Sequence, residues 1–242
     1  MLLIIDIGNT NIVLAIFDGD QKIKSWRLET SAPFHVGESG IENIIVSSVV
    51  PHKDEEIIKV CESQLDTTPF FVNYKNVGLK IHTDHPEQVG ADRLVNAVAV
   101  VHEYNQPTII VDFGTATTFD VVDGEGNYFG GVISPGINLS LKALGEAAAN
   151  LPTLKVEKPN AVIGKNTVDA MQSGIYWGYI GLIEGNIDRI QKEIGQDCTI
   201  VATGGLAPLF AENTDYLKII DPDLTLKGLV HIHNDMQQKA AA

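Results

Sequence analysis

A short segment near the start of the chain returns in its second half, and this duplication constrains the fold more than any other feature. Ile5-Asp6-Ile7-Gly8-Asn9-Thr10 matches Val111-Asp112-Phe113-Gly114-Thr115-Ala116, and each copy lies between two apolar runs. Asp-x-Gly turns are common, so a single match of this kind can arise by chance. Here a second turn also matches after a one-residue gap, with Asp18-Gly19 opposite Asp123-Gly124. The sequence therefore predicts a duplicated strand–turn–strand–turn–strand unit.

The glycine after each aspartate suits the first turn of the unit for binding phosphate. Glycine lets the backbone approach an anion closely, and successive N–H groups can form an anion-binding concavity. The carboxylate of Asp6 or Asp112, at the end of its strand, can hold Mg²⁺, usually through water. A third glycine turn, Thr203-Gly204-Gly205, follows another predicted strand. The pattern favours nucleotide binding, and the alternative is ordinary β-turns in which the aspartates cap backbone amides.

Apolar runs of strand length alternate with helical patterns along the chain, which predicts the α/β class. Strands are expected near residues 2–7, 12–17, 22–28, 44–50, 70–72, 108–112, 117–122, 128–134 and 199–202. Helices are expected near 52–65, 87–104, 136–150, 166–193 and 223–238, with a short one after residue 205 and a loop over 31–42. The repeat places a domain boundary near Gln106-Pro107, giving an N-terminal domain of 1–106 and a C-terminal domain of 107–242. The terminal helix is free to pack back across that boundary.

The charge balance argues against nucleic acid and membrane partners. The chain has 17 lysines and arginines against 31 aspartates and glutamates, a formal net charge of −14. Because nucleic acids and anionic lipids are bound chiefly through Lys and Arg, neither is an expected partner. No run reaches the roughly 18 apolar residues of a membrane helix, and the two cysteines, Cys61 and Cys198, form no disulfide framework. A soluble, cytoplasmic protein is expected.

Five motifs, in this order, resemble those of the type III pantothenate kinase family, a member of the actin/hexokinase/Hsp70 superfamily of ATP-binding proteins. They are Asp6–Val13, Gly90–Arg93, Asp112–Thr118, Gly130–Gly136 and Gly164–Thr167, and the resemblance covers nearly the whole chain. It implies an α/β fold of duplicated RNase H-like, or actin-like ATPase, domains, with ATP and pantothenate meeting in a cleft. The implied enzyme is a kinase that phosphorylates pantothenate to 4′-phosphopantothenate, the first step of coenzyme A biosynthesis.

The resemblance also implies roles for individual residues. Asp92 is the implied catalytic base, Asp112 the ligand of a monovalent cation, K⁺ or NH₄⁺, and Asp6 the residue near Mg²⁺. The implied ATP-binding residues are Asp6, Ile7, Gly8, Asn9, Thr10, Asn11, Ile12, Val13 and Thr115. The implied pantothenate-binding residues are Thr83, Gly90, Ala91, Asp92, Arg93 and Thr167. Relatives often have an aromatic residue in place of Thr83, and they carry an additional helix where this chain has only 31–42.

The chemistry of Asp92 and Arg93 fits these roles independently of the resemblance. Phosphoryl transfer requires positioning and charge stabilisation, and a carboxylate beside the attacking hydroxyl can serve as the base. Arg93, its neighbour, would lower the pKa of Asp92 and keep it ionised at neutral pH. Since basic residues are few, metal ions and backbone amides must neutralise most of the phosphate charge. The alternative for these neighbours is an ordinary salt bridge near a helix start.

A stripe of glycines along the long predicted helix bears on assembly. Gly174, Gly178, Gly181 and Gly185 recur at spacings of four, three and four, so they lie on one face and let another helix approach closely. That contact is either internal packing or a homodimer interface, and the family resemblance supports the homodimer. Two functional alternatives stay open: a different small-molecule kinase or phosphatase on the same fold, and a non-catalytic regulator.

Overall fold

The computed structural model describes residues 1–147 and 154–241, which form two compact units. The first unit contains Met1–Tyr104, Gly126–Tyr128 and the chain from Asp223 onward. The second contains Asn105–Glu125 and the described part of Phe129–Pro222. The division into domains of 1–106 and 107–242 stays a prediction, although the C-terminal helix groups with the first unit. Within the described ranges, no helix is both long enough and apolar enough to cross a membrane.

The first unit is built on a five-stranded sheet. Its strands are β1 (Leu2–Ile7), β2 (Asn11–Asp18), β3 (Gln21–Glu29), β4 (Asn43–Ser48) and β5 (Phe70–Phe71), and its described helices are α1 (Pro51–Leu65), α2 (Ala91–Glu103) and α6 (Leu224–Ala241). The strand order is β3-β2-β1-β4-β5. β1 pairs antiparallel with β2 and parallel with β4, so it occupies the centre of the sheet.

The second unit repeats this arrangement. Its strands are β6 (Thr108–Phe113), β7 (Ala116–Val122), β8 (Tyr128–Pro135), β9 (Thr199–Thr203) and β10 (Ile219–Ile220), and its described helices are α3 (Ile137–Ala147), α4 (Thr167–Ile194) and α5 (Ala207–Ala211). The first residue of β8, Tyr128, groups with the first unit. The strand order is β10-β9-β6-β7-β8, and β6 pairs antiparallel with β7 and parallel with β9. β6 therefore corresponds to β1, which confirms the α/β class. Residues 148–150 of the helix predicted over 136–150 lie outside the described residues.

The two aspartate-bearing strands, β1 and β6, each run through a hydrophobic core. Both are buried along their length except at the aspartate next to the last residue, which is partly exposed in each. The core around β1 includes Leu3 and Ile5, and the core around β6 includes Val111. Burial of these apolar side chains stabilises the strands by about 25 cal/mol per Å² of apolar surface. Asp6 and Asp112 are thereby held at the ends of rigid strands.

The helix expected over 87–104 is divided in the structure. A 3₁₀ turn, Pro86–Gln88, precedes α2, which begins only at Ala91. Gly90 separates the two with φ −58° and ψ 142°, an extended conformation that cannot continue a helix. Asp92 therefore lies in the first turn of α2 and not within a longer helix.

Segment 31–42 is loop, as predicted, and α1 anchors it. The backbone N–H of Phe34 donates to Glu56 Oε1 at 2.8 Å. Lys53 Nζ donates to Glu56 Oε2 at 2.7 Å and to the carbonyl oxygen of Ala32 at 2.9 Å. The bond from Lys53, followed by that from Phe34, holds the pKa of the Glu56 carboxyl below its usual range. The buried Phe34 side chain covers this part of the core without an additional helix.

The packing of α6 on α2 depends on Gly228. A Cβ at this position would overlap the carbonyl oxygen of Val95 and lie 2.8 Å from its Cγ1. We expect Gly228→Ala to lower the free energy of unfolding by about 1–3 kcal/mol in chemical denaturation, because overpacking forces the backbones apart. The control is Gly145→Ala in α3, where an added Cβ meets no described atom within 4 Å. Equal effects of the two substitutions would contradict the close contact.

Candidate active site

The predicted first phosphate loop is the tight turn between β1 and β2. The N–H of Gly8 donates to the carbonyl oxygen of Asn11 at 3.0 Å, which closes the turn. Thr30 Oγ1 donates to the carbonyl oxygen of Gly8 at 2.7 Å, and the N–H of Thr30 donates to that of Thr10 at 3.1 Å. Two loop carbonyls are thus held by Thr30 while Asn9 and Thr10 stay exposed. Because these carbonyl oxygens are bonded to Thr30, the loop is suited to present N–H groups to an anion.

Not every residue assigned to the first phosphate loop can offer its side chain. Ile7 and Ile12 are fully buried in the core of the first unit and pair with each other across β1 and β2. Their side chains are therefore structural, and they can contact ATP only through backbone atoms. The other residues of the motif are at least partly exposed: Asp6, Gly8, Asn9, Thr10, Asn11 and Val13.

The predicted second phosphate loop, between β6 and β7, is enclosed by glycines from two other elements. A Cβ on Gly136 would overlap the carbonyl oxygen of Thr115, to which the Gly136 N–H donates at 3.1 Å. A Cβ on Gly204 would lie 2.6 Å from the carbonyl oxygen of Phe113, and Gly204 has φ +88°. Only glycine fits at both positions. The glycines at the start of α3 and after β9 therefore let the backbone approach the loop.

The structure brings together two carboxylates that lie far apart in the sequence, Asp6 and Asp92. Burial, followed by the negative charge of Asp92, raises the pKa of Asp6 to about 7 from its ordinary value of 3.8. The Ser47 hydroxyl and the Arg27 guanidinium act in the opposite direction without cancelling the shift. A Cβ on Gly90, just before α2, would lie 3.4 Å from Val49 Cγ1, and the N–H of Val49 donates to the carbonyl oxygen of Ile7 at 3.0 Å, so the first turn of α2 lies near the end of β1. The implied base and the implied metal ligand thus share one site in the first unit.

Sequence reasoning missed Ser47, which joins this site from β4. Ser47 lies opposite Asp6 in the parallel pairing of β1 and β4, and it is fully buried. In the described part of the chain, its hydroxyl has no partner with hydrogen-bond geometry. The next residue is different: Ser48 Oγ donates to Asp54 Oδ1 at 2.6 Å and so supports the start of α1. Only strand register distinguishes the two serines, and register is not visible in the local sequence pattern.

The donors around Asp6 fit a divalent cation. Carboxylate and hydroxyl oxygens are the ligands that Mg²⁺ prefers, directly or through water. A cation here would also offset the charge of Asp92 and Asp6 and leave the buried hydroxyl of Ser47 with a partner, directly or through water. The residues present therefore agree with the metal that the resemblance implies.

Gly90 shapes the start of α2 around the carboxylate of Asp92. A Cβ on Gly90 would lie 2.5 Å from Asp92 Oδ1 and 3.4 Å from Val49 Cγ1, just beyond the end of β4. Asp92 Oδ1 accepts the N–H of Arg93 at 2.8 Å, so the carboxylate folds back over the helix start. Glycine at position 90 makes this possible, and Ala91 beside it is buried. A negative charge is favourable at a helix N-terminus.

Two further residues assigned to pantothenate are linked to Tyr128, Arg93 through its side chain and Thr83 through the backbone of its neighbour His82. The Arg93 guanidinium carbon lies 5.9 Å from the centre of the Tyr128 ring, and the Tyr128 side chain is fully buried. The N–H of His82, next to Thr83, donates to the carbonyl oxygen of Tyr128 at 2.8 Å. Thr83 Oγ1 is buried and has no partner in the described part of the chain. Sequence reasoning did not identify Tyr128, since nothing local indicates this packing.

Asp112 lies among oxygen donors in the second unit. It pairs with Thr118 on β7 and with Thr203 on β9. Thr118 Oγ1 donates to Asp120 Oδ2 at 2.8 Å, and Asp120 is fully buried. As in the first unit, the aspartate faces a hydroxyl residue across a parallel strand pair. Such a set of oxygen donors suits a hard cation.

Thr167 is the first residue of α4, in the second unit, and lines an open groove of about 790 Å³. Asn166 caps the helix by accepting the N–H of Asp169 at 2.9 Å. The wall of the groove is largely apolar and includes Leu144, Met171 and Ile175. The motif that contains Thr167 therefore forms a helix start beside an exposed apolar surface.

Comparison with known proteins gives consistent results. A family model described as type III pantothenate kinase matches residues 2–189. A curated protein named type III pantothenate kinase from Paramagnetospirillum magneticum is 51% identical over 251 residues, covering 96% of each chain. Among solved structures, a conserved putative Baf family transcriptional activator from Campylobacter jejuni has a TM-score of 0.68 at 23% identity, covering 98% of this chain and 99% of that one. The activator of 2-hydroxyisocaproyl-CoA dehydratase from Clostridium difficile, with bound ADPNP, has a TM-score of 0.56 at 11% identity, covering 100% and 97%. At these identities the solved structures show the fold alone.

Proposed function

The chain belongs to the type III pantothenate kinase family, and from that premise we propose which residues transfer a phosphoryl group from ATP to pantothenate, the first step of coenzyme A biosynthesis. The observation that carries the proposal is the approach of Asp92 to Asp6 beside the first phosphate loop. A base and a metal-binding carboxylate at one site are what an in-line transfer to an alcohol requires. The products are ADP and 4′-phosphopantothenate.

Asp92 is the proposed base that accepts the proton of the primary hydroxyl of pantothenate. A carboxylate in hydrogen-bond reach of an attacking hydroxyl is suited to this role. Its position is supported by Gly90, which leaves room for the carboxylate, and by the N–H of Arg93, which donates to it. Gly90, Ala91, Arg93, Thr83 and Thr167 are the proposed pantothenate-binding residues, with Arg93 facing the substrate carboxylate.

The proposed ATP-binding residues are Asp6–Val13 and Thr115. Asp6, with Ser47 beside it, would hold Mg²⁺, and Asp112 would hold K⁺ or NH₄⁺ among the hydroxyls around it. When bound with ATP, the divalent ion neutralises part of the phosphate charge that this acidic chain cannot neutralise with its few basic residues. The chain's own contribution is the geometry: two glycine-closed loops and two carboxylates on rigid strand ends.

The non-catalytic regulator is not favoured. That alternative predicts the loss of Asp6 or Asp92, and both are present in one site. The Campylobacter jejuni neighbour carries a transcriptional description, but its likeness to this chain extends to the fold alone. Cytoplasmic location stays a prediction.

We propose that the protein is a homodimer that uses the glycine stripe of α4. Gly174, Gly178 and Gly181 are exposed, and an added Cβ at any of them meets no described atom within 4 Å. The stripe is thus open to another helix. We expect sedimentation velocity to give twice the chain mass of 26.2 kDa, and Gly178→Arg to give the monomer. Glu193→Arg, exposed near the end of α4, should stay dimeric; a monomeric wild type would contradict the proposal.

The reaction is tested by ADP release from the purified protein with Mg-ATP. We expect release that depends on pantothenate and is much faster in K⁺ than in Na⁺ buffer. Release without pantothenate would indicate a different acceptor or hydrolysis. No release in either buffer would overturn the proposal and return the regulator to consideration. Equal rates in K⁺ and Na⁺ would contradict the proposed K⁺ or NH₄⁺ site at Asp112 but not the proposed reaction.

A further inference from the structure

We infer that Tyr128 is a positioning residue that holds Arg93 for the carboxylate of the substrate and so makes the site selective for an anionic acceptor. This inference rests on the proposed function and adds to it a residue outside the five motifs. The geometry is direct: the guanidinium carbon of Arg93 lies 5.9 Å from the centre of the Tyr128 ring. At this distance a guanidinium is attracted by the face of an aromatic ring.

The ring of Tyr128 is held in place by its backbone. The N–H of Tyr128 donates to the carbonyl oxygen of Lys80 at 2.9 Å, and its own carbonyl oxygen accepts the N–H of His82 at 2.8 Å. Ile81 forms the parallel bridge between these two bonds. The side chain is fully buried, so it cannot leave this position easily. Tyr128 is therefore a fixed platform rather than a mobile contact.

The same backbone bonds fix the segment that leads to Thr83. Thr83 follows His82 directly, and its buried hydroxyl has no partner in the described part of the chain. A buried hydroxyl without a partner is costly, so it is expected where a ligand supplies one. Arg93, over the ring, and Thr83, one residue beyond the backbone bond from His82, thus come from different segments of the chain. Both are proposed pantothenate-binding residues, and their connection through Tyr128 supports a single binding site.

The need for such a platform follows from charge. With 17 basic and 31 acidic residues, the protein repels an anionic substrate as a whole. A single arginine must then supply much of the local attraction, and a long side chain loses rotamer freedom when it binds. A ring that holds the guanidinium beforehand reduces this loss, because less ordering occurs on binding. Lysine could not replace arginine equally, since its ammonium lacks a planar face to stack.

The experiment varies the electrostatics of the ring with little change in its size. Tyr128→Phe, which removes the hydroxyl, is the reference, and Tyr128→4-fluorophenylalanine and Tyr128→3,4,5-trifluorophenylalanine are compared with it, since fluorine withdraws charge from the face of the ring. Each variant is assayed with pantothenate and with pantothenyl alcohol, which lacks the carboxylate. We expect the KM for pantothenate to rise by about 3- to 10-fold along the series, with kcat changed less than twofold. The selectivity, as the ratio of kcat/KM for the two acceptors, should fall by the same factor.

Two control variants separate this role from a structural one. Phe17→Leu removes a buried ring in the same unit, at the end of β2 opposite the phosphate loop, and should leave the selectivity unchanged. Arg93→Ala should abolish the selectivity and make it insensitive to the ring at position 128. A flat KM along the fluorinated series, with Arg93→Ala still unselective, overturns the role of Tyr128 and leaves the proposed function intact. Absence of pantothenate phosphorylation in the wild type would instead overturn the proposed function itself.

Discussion

Replacing Asp92 with asparagine is expected to lower kcat by about 10²- to 10⁴-fold, the usual contribution of a general base. The amide has the same shape as the carboxylate but cannot accept the proton of the attacking hydroxyl. Its oxygen can still accept the N–H of Arg93, the 2.8 Å bond that shapes the first turn of α2. The fold and the binding of Mg-ATP should therefore survive while turnover is lost.

The measurement is steady-state ADP release, with the KM for ATP and thermal unfolding determined in parallel. Asp84→Asn is the matched control, because Asp84 is an exposed aspartate just before the 3₁₀ turn that leads to α2. It should keep wild-type turnover. Turnover near the wild-type rate in Asp92→Asn would remove Asp92 as the base, and a large drop in stability would mean that the carboxylate is structural.

Replacing Asp6 with asparagine is expected to abolish turnover and yet stabilise the metal-free protein at pH 8, by about 1–3 kcal/mol. The pKa of Asp6 is raised from 3.8 to about 7, chiefly by burial and then by Asp92. Each unit of such a shift corresponds to about 1.4 kcal/mol of differential stability, and the partial exposure of Asp6 reduces the sum. The negative charge of Asp6, which a bound metal ion requires, therefore lowers the stability of the metal-free protein.

The pH dependence has a definite sign. Between about pH 4 and 7 the folded protein keeps the Asp6 proton that the unfolded chain has released. In this interval the folded state binds more protons, so this group's contribution to the free energy of unfolding falls as the pH rises and levels off above about pH 7. Urea denaturation at several pH values measures the slope. It should be present in the wild type and in Asp18→Asn, an exposed aspartate at the far end of β2, and reduced in Asp6→Asn.

The effect of Mg-ATP on the unfolding temperature is a second test of Asp6. A ligand that binds only the folded state stabilises it by mass action. We expect Mg-ATP to raise the unfolding temperature of the wild type and to have little effect on Asp6→Asn, so the order of stability reverses when the ligand is added. An Asp6→Asn protein that is less stable than the wild type without ligand would contradict the burial of an uncompensated charge.

The sequence predicted the strands that carry the chemistry better than the segments around them. β1 was predicted within its observed bounds and β6 to within one residue, because a run of apolar residues ending in Asp-x-Gly is a strong local pattern. The two-residue strand β10 was missed, since it is too short to show a period. The helix expected over 87–104 was too long, because the conformation of Gly90 is set by its packing on Asp92 and Val49.

Asp6 and Asp112 could be chosen from local sequence because a carboxylate, a glycine and a strand end lie within a few residues. Asp92, in the first turn of α2, was chosen from the resemblance of Gly90–Arg93 to a family motif, and the roles of all three stay proposals. Ser47 and Tyr128 could not be chosen in either way. Ser47 differs from Ser48 only in strand register, which places it opposite Asp6 on a neighbouring parallel strand. Tyr128 contacts the guanidinium of Arg93 and the backbone of Lys80 and His82, which lie far from it in the sequence.

Local sequence patterns were thus sufficient to predict the class of the fold and the repeated Asp-x-Gly turn. Which candidate residues lie together became known only from the folded structure, in which burial and the charge of Asp92 raise the pKa of Asp6. The physical reason is that propensity, turn chemistry and apolar periodicity act between near neighbours in the chain. Desolvation, strand register and ring stacking depend on distances in space, which exist only once the chain has folded.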